Sequence, residues 1–331
     1  MTILVALLVF FVVILFHEAG HFIAAKSVGI RVNEFSVGMG PALLQKKKGE
    51  TIYSLRAVPL GGYCAMEGED EDSDDPHSFS RALPWQRFVA VLAGPLMNLV
   101  VAYLCFALFL GLSGSPIPVV AKFSENSPAK SAGLLAGDRV TAIQGRPVDD
   151  AQDMIEAIQK GKGDALEVTV LRNNESKTFR VTPARQEDGR LILGFEMERQ
   201  TDLFGAIVGG LTTAVETFFS LFGILWSLIS GALSIDAVSG PIGVISMIGQ
   251  AAQQGISSVL YLTGYISINL AFFNLLPIPA LDGFTLLFIV IEKIRGRKLR
   301  PELEERIRLI GFSLLIALIL FVSFKDVLKI I

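Results

Sequence analysis

Thr2-Ile3-Leu4-Val5-Ala6-Leu7-Leu8-Val9-Phe10-Phe11-Val12-Val13-Ile14-Leu15-Phe16-His17-Glu18-Ala19-Gly20-His21-Phe22-Ile23-Ala24-Ala25 is apolar throughout except at Thr2, His17, Glu18 and His21. A stretch of this length without proline reads as a helix that crosses a bilayer. Ionisable groups inside such a span are expensive and mark function. On a helix, positions four apart share a face, so His17 and His21 can present both imidazoles to one tetrahedral zinc. Glu18 sits beside that face. From there its carboxylate can take a proton from a zinc-bound water and pass it to a leaving amine, which is peptide hydrolysis.

The rest of the composition agrees with a membrane setting. The hydrophobic fraction is 51% and the mean hydropathy +0.54, above the usual soluble range, and several further apolar runs are long enough to span. A polytopic α-helical membrane protein is expected, with the lipid bilayer as its solvent. The net charge of -3 argues against nucleic acid as a partner. Two cysteines, Cys64 and Cys105, make no disulfide framework. The first span has the apolar core of a signal peptide but no basic segment before it, and cleavage near Ala24-Ala25 would discard both histidines, so it is expected to be retained.

Outward from the first span, residues 33 to 83 are polar overall. Gly38-Met39-Gly40-Pro41, the basic triplet Lys46-Lys47-Lys48 and the β-prone Thr51 to Val58, broken by Pro59, Gly61 and Gly62, predict a small hairpin. Its edge can hold an extended substrate by strand addition, or it is an ordinary solvated hairpin. The acidic run from Glu67 to Asp75, followed by His77, reads as a solvated loop. A second span is expected from Phe88 to Leu112 and contains Gly94-Pro95-Leu96-Met97-Asn98, with Asn98 facing the bundle interior in either a packing or a catalytic role.

From Pro116 to Arg199 strand-like pieces surround one amphipathic helix, Ala151 to Lys160, as in a soluble α/β domain. The following Leu203 to Leu233 is apolar but carries Glu216 and several glycines. Basic residues behind the first span (Lys26, Arg31) and behind the third (Lys293, Arg295, Arg297, Lys298, Arg300) fall on one side only if Leu203 to Leu233 does not cross. It is therefore expected to lie at the outer interface or against the bundle. The third and last spans are expected at Ser257 to Leu276 and Ile310 to Phe324, which makes four in all with both termini outside. The domain boundaries that follow are 1–115, 116–199, 200–255 and 256–331.

A catalytic zinc takes three protein ligands and keeps one position open. The chain has three histidines, and His77 is in the acidic loop. A carboxylate at the depth of His17 and His21 is needed, and Asp282 in Leu281-Asp282-Gly283 fits, with Pro277 and Pro279 breaking the helix before it. Asn269 and Asn274 can hydrogen-bond a substrate or a tetrahedral oxyanion.

The His-Glu-x-x-His segment, the stretch from Asn274 to Asp282-Gly283, Gly94-Pro95-Leu96-Met97-Asn98 and Ser239-Gly240-Pro241-Ile242-Gly243, in this order around the inserted domain, resemble the site-2 protease family, in its bacterial RseP-type branch. Within the insertion, Ser127-Pro128-Ala129, Ala132 to Val140 and Ile143 to Val148 resemble a PDZ domain, which captures extended peptide or serves as a steric gate. The resemblance implies Zn2+ on His17, His21 and Asp282, Glu18 as general base, and the hairpin as a membrane-re-entrant substrate clamp. It also implies a place in the bacterial inner membrane with the PDZ-like domain on the outer face. The implied activity is regulated intramembrane proteolysis of single-span substrates, such as anti-sigma factors or signal-peptide remnants, after an upstream site-1-type protease has trimmed them. Two features depart from the family pattern: one PDZ-like domain where some relatives have two, and Phe284 where a second glycine is common. Two other readings compete. A zincin working on soluble peptides needs a downstream glutamate on a water-exposed helix, which the sequence after His21 does not offer; a non-catalytic PDZ-containing membrane scaffold has no need of Glu18 or Asp282.

Overall fold

The computed structural model describes residues 2–69, 73–186, 189–234, 239–297 and 301–330. Residues 70–72 of the acidic run and 298–300 of the basic loop lie outside them. In chain order the elements are α1 (Thr2–Ser27), β1 (Val32–Lys48), β2 (Thr51–Met66), α2 (Pro84–Ser113), β3 (Ser115–Phe123), α3 (Pro128–Ser131), β4 (Arg139–Ile143), β5 (Arg146–Pro147) and α4 (Ala151–Lys160). Then follow β6 (Leu166–Arg172), β7 (Glu175–Val181), β8 (Ala184–Arg185), β9 (Leu191–Ile192), β10 (Phe195–Gln200), α5 (Leu203–Ile229), α6 (Pro241–Gln254), α7 (Ile256–Leu275), α8 (Asp282–Arg295) and α9 (Pro301–Ile330). Two compact units result: residues 110–207, and the chain before and after them.

The larger unit is a helical bundle. Among the described residues five helices are long and apolar enough to cross a membrane: α1, α2, α5, α7 and the Arg306–Leu328 part of α9. Four spans were expected, and the difference is α5. Its glycines do not interrupt it: Gly210 lies so close to α2 that a Cβ there would stand 2.7 Å from Ala107 N, while Glu216 sits on the exposed face. Further along, Phe218 and Phe222 pack on Phe272 of α7, with ring centroids at 5.7 and 4.9 Å. So α5 lies along the bundle rather than across its end. Close backbone approach at small residues is how helices associate where no hydrophobic effect drives them together.

At one end of the bundle α6 joins the first and last helices. Gly249 lies against Thr2, and Gly240 against Asp326 of α9. Gly240 caps α6 with no side chain of its own, and the buried Asp326 carboxylate accepts from Gly243 N at 2.8 Å instead. A carboxylate at a helix N-terminus satisfies orphan donors and complements the dipole. At the other end Arg87 of α2 donates to Glu292 of α8 at 2.7 Å.

The expected small hairpin is larger and more folded. The register pairs Glu34 to Val37 with Ala65 back to Gly62, and on its other side with Ile52 to Leu55. The Ile52 to Leu55 segment in turn pairs with Lys47 back to Leu44. Each long strand thus doubles back on itself, at Gly38 and Gly40 (φ +88° and +81°) and near Gly61 (φ +83°), and the two strands form a sheet of four segments. Glycine reaches this left-handed region without the Cβ penalty. The two bends reach the depth of α1, Gly61 lying near Ile14 and Met39, whereas the Gly49-Glu50 turn returns to the level of Lys26, which donates to Thr51 Oγ1 at 3.1 Å.

The smaller unit is a sheet in the order β10-β3-β4-β6-β7, with β5 on β4. Leu166, Val168 and Val170 alternate into its core with Val120, Val140 and Ile143. Helix α4, capped by Asp150 through Asp153 N, covers that core with Ala151, Met154 and Ile158.

Candidate metal centre and active site

Two antiparallel helices build the centre. On α1, His17 and His21 are one helical turn apart and both buried, their rings edge to face at 4.7 Å between centroids. Opposite them α2 presents Ala90, Gly94 and Asn98, again four apart. Ala90 O accepts from His21 Nδ1 at 2.9 Å, and the Asn98 amide lies 3.2 Å from His17 Nδ1. Gly94 between them is there for space: a Cβ would stand 2.1 Å from His21 Nε2. Gly20 does the same from the other helix, where a Cβ would meet Ala93 O at 2.3 Å. Pro95 withholds one helical donor in this turn.

The third member arrives from the far end of the chain. Helix α7 stops at Leu275, since Pro277 and Pro279 cannot continue it, and Ala280 turns the chain at φ +77° into the start of α8. A non-glycine residue in the left-handed region costs about 1–2 kcal/mol, so the packing around it holds it there. Gly283 fits under the end of α7, where a Cβ would be 2.3 Å from Leu276 O. Gly311 of α9 packs as closely against Pro279. The outcome is Asp282 Oδ2 at 3.2 Å from His17 Nε2 and 3.4 Å from His21 Nε2, while the two Nε2 atoms are 3.2 Å apart.

These three spacings test whether a metal fits. Ligand atoms at three corners of a tetrahedron with bonds of about 2.0 Å stand roughly 3.3 Å apart, which is what the triangle measures. Asp282 Oδ2 is buried and has no hydrogen-bond donor. A buried carboxylate oxygen aimed at two imidazole nitrogens, without a proton donor of its own, matches a zinc site.

Glu18 flanks the triangle. Its carboxylate receives the Cys64 backbone N–H, and a Cβ on Gly62 would stand 3.8 Å from its Cγ, so the innermost segment of the sheet runs alongside it. Asn274 comes to the centre as well, its amide nitrogen 3.3 Å from His17 Nε2. Asn269 does not: its amide donates to Tyr265 O at 2.7 Å, along its own helix. His77 stands apart beside Asp75, at 3.6 Å. Sequence patterns missed the parts played by Ala90 and Gly94. The Gly94-Pro95 pair inside a span was a signal that something lies close to that turn, but not what.

The chain is similar to known proteins along nearly its whole length. The model of peptidase family M50 matches residues 5–318. A Clostridium acetobutylicum protein whose name describes a zinc metalloprotease is 36% identical over 329 residues, covering 98% of this chain and 97% of its own. Zinc metalloprotease RasP of Bacillus licheniformis is 30% identical over 412 residues, covering 98% of each chain. Regulator of sigma-W protease RasP of Bacillus subtilis is 28% identical over 413 residues, again covering 98% of each. Among solved structures, the PDZ domain of an SdrC-like protein from Listeria innocua matches 26% of this chain and 96% of its own, at 26% identity and a TM-score of 0.22.

Proposed function

The chain belongs to peptidase family M50, and from that premise we propose that it cuts single-span membrane proteins within or near their transmembrane segment, at the depth of His17, His21 and Asp282. It is a zinc metalloprotease and a multi-pass membrane protein. The observation that carries the site assignment is the triangle of ligand atoms with its orphaned carboxylate oxygen.

His17, His21 and Asp282 hold the zinc, which when bound supplies the Lewis acidity that polarises the scissile carbonyl and acidifies water. Glu18 takes the proton of the attacking water and delivers it to the leaving amine. Asn274, with its amide beside His17 Nε2, donates to the oxygen on which negative charge develops. Asn269 commits one amide N–H to its own helix, which leaves the other N–H and the side-chain oxygen for a substrate. A helical substrate shields its own carbonyls, so it must be held extended. The sheet segment beside Glu18 supports that step through strand addition, which uses main-chain hydrogen bonds.

The substrates proposed are anti-sigma factors or signal-peptide remnants already trimmed by an upstream site-1-type protease, in keeping with the sigma-W regulator's name. The bacterial cytoplasmic membrane is the proposed location, with both termini and the PDZ-like domain outside, an arrangement that requires α5 to pack against the bundle without crossing. Support comes from Lys26, Arg31 and the Lys46 to Lys48 tip at one end of the bundle, along with Lys293, Arg295 and Arg297.

The test is cleavage of a tagged single-span peptide in detergent by the purified protein and its Glu18→Gln variant, with zinc measured on both. Loss of cutting with zinc retained is expected, since the change removes a base and no ligand. Equal cutting by both would assign the activity elsewhere and favour a scaffold role.

A further inference from the structure

The two histidines are supported unequally, and the difference falls on Asn98. A histidine that ligates through Nε2 carries its proton on Nδ1 and needs an acceptor there to fix tautomer and ring orientation. His21 has one, the Ala90 carbonyl at 2.9 Å. His17 Nδ1 faces the Asn98 amide at 3.2 Å, a group that can present either oxygen or nitrogen. Asn98 is fully buried, and its Oδ1 has no partner. As placed, the Asn98 amide nitrogen faces His17 Nδ1, which then acts as acceptor and leaves the proton on Nε2. That tautomer cannot ligate. Turning the amide by half a revolution exchanges oxygen and nitrogen with almost no change of shape.

We propose that Asn98 is the positioning residue of the metal pair: its side-chain oxygen accepts the His17 Nδ1 proton, and thereby commits Nε2 to the metal. The assignment rests on the zinc site proposed above. Its backbone is fixed for the task, because Ser267 Oγ of α7 donates to Asn98 O at 2.8 Å. Ser267 and Asn274 are two turns apart on α7, so one face of that helix holds Asn98 and also reaches His17. The Ala90-Gly94-Asn98 row then has a single logic: acceptor for His21, room for the metal, acceptor for His17.

The experiment uses the full-length protein in detergent. Zinc affinity is measured by chelator competition, and the visible spectrum of the cobalt-substituted protein reports ligand geometry. Asn98→Leu, similar in size but without an acceptor, is expected to bind zinc about 10–100-fold more weakly and to shift the cobalt bands. Asn98→Asp keeps an oxygen for Nδ1 and is expected to retain wild-type affinity and spectrum. Wild-type affinity together with an unchanged spectrum in Asn98→Leu overturns the proposal. Should Asn98→Leu fail to fold, Asn98→Asp decides: a folded Asn98→Asp protein that loses zinc overturns it, because a bare packing role is what a buried charge would disturb. Failure of the underlying site assignment looks different, since the wild-type protein itself would then bind neither metal.

Discussion

At the scale of single residues, the centre depends as much on what is missing as on what is present. Gly94 leaves a space that any side chain would take from His21. Gly94→Ala is expected to displace the imidazole by an ångström or more. Cleavage should fall by about 100-fold, the usual cost of such a misplacement, and zinc should be lost with it. Full zinc occupancy in that variant would show that the helices can separate without harm. The three proposed ligands, which the structure brings together, were legible in sequence because helical spacing is local: His17 and His21 announce a shared face, and Asp282 follows a proline-broken span. Gly94 and Ala90 were not, because their importance lies in a contact between helices that no spacing within one helix reveals. Asn98 was left between packing and catalysis for the same reason.

At the scale of elements, the inserted domain is held by one ion pair deep in its fold. Asp138 is buried, and both its oxygens accept from Arg172 at 2.7 Å, with Leu135 N as a further donor at 2.8 Å. The Arg172 hydrogen bonds hold the Asp138 carboxyl below its ordinary range. A depressed folded-state value stabilises the fold fully above the unfolded value of about 3.9, and the contribution is lost as pH falls through the lower, folded one. Calorimetry of the full-length protein should therefore show this unit's transition steady from about pH 7 to pH 5 and falling below about pH 4. Arg172→Met strands a buried charge and is expected to cost about 3 kcal/mol at neutral pH, which identifies the transition. A transition indifferent to both changes would deny the pair its role. Elements also mark where sequence reading stopped short. The breaks at Gly38, Gly40 and Gly61 were visible, but that the halves of two strands would pair side by side was not, since such pairing is non-local. Glycines in α5 looked like interruptions because composition does not distinguish a break from a packing surface.

At the scale of the whole molecule, sidedness is the property to test. An impermeant maleimide applied to intact cells is expected to label Ser131→Cys and to spare Lys47→Cys, both sites being exposed while the native Cys64 and Cys105 are buried. Labelling of both from outside would invert or abolish the proposed topology. Basic residues gave the sequence an expectation of sidedness, and the length and hydropathy of Leu203 to Leu233 were legible there too; its packing along Ala107 and Phe272 was not. The folded-back sheet brings a requirement of its own. Its outermost segment, Ala42 to Lys48, pairs on one side only among the described residues, and it is exposed throughout. Hydrocarbon does not tolerate bare backbone groups, at several kcal/mol each. In the proposed re-entrant placement of the sheet, the bilayer beside this edge is therefore locally hydrated. Hydrolysis needs a second reactant that lipid excludes, and an unpaired strand edge so placed keeps that reactant within reach. Backbone amides of Leu43 to Lys48 should exchange with deuterated solvent quickly in a lipid nanodisc while those of α1 stay protected; equal protection would mean a dry edge, and water would have to enter from elsewhere.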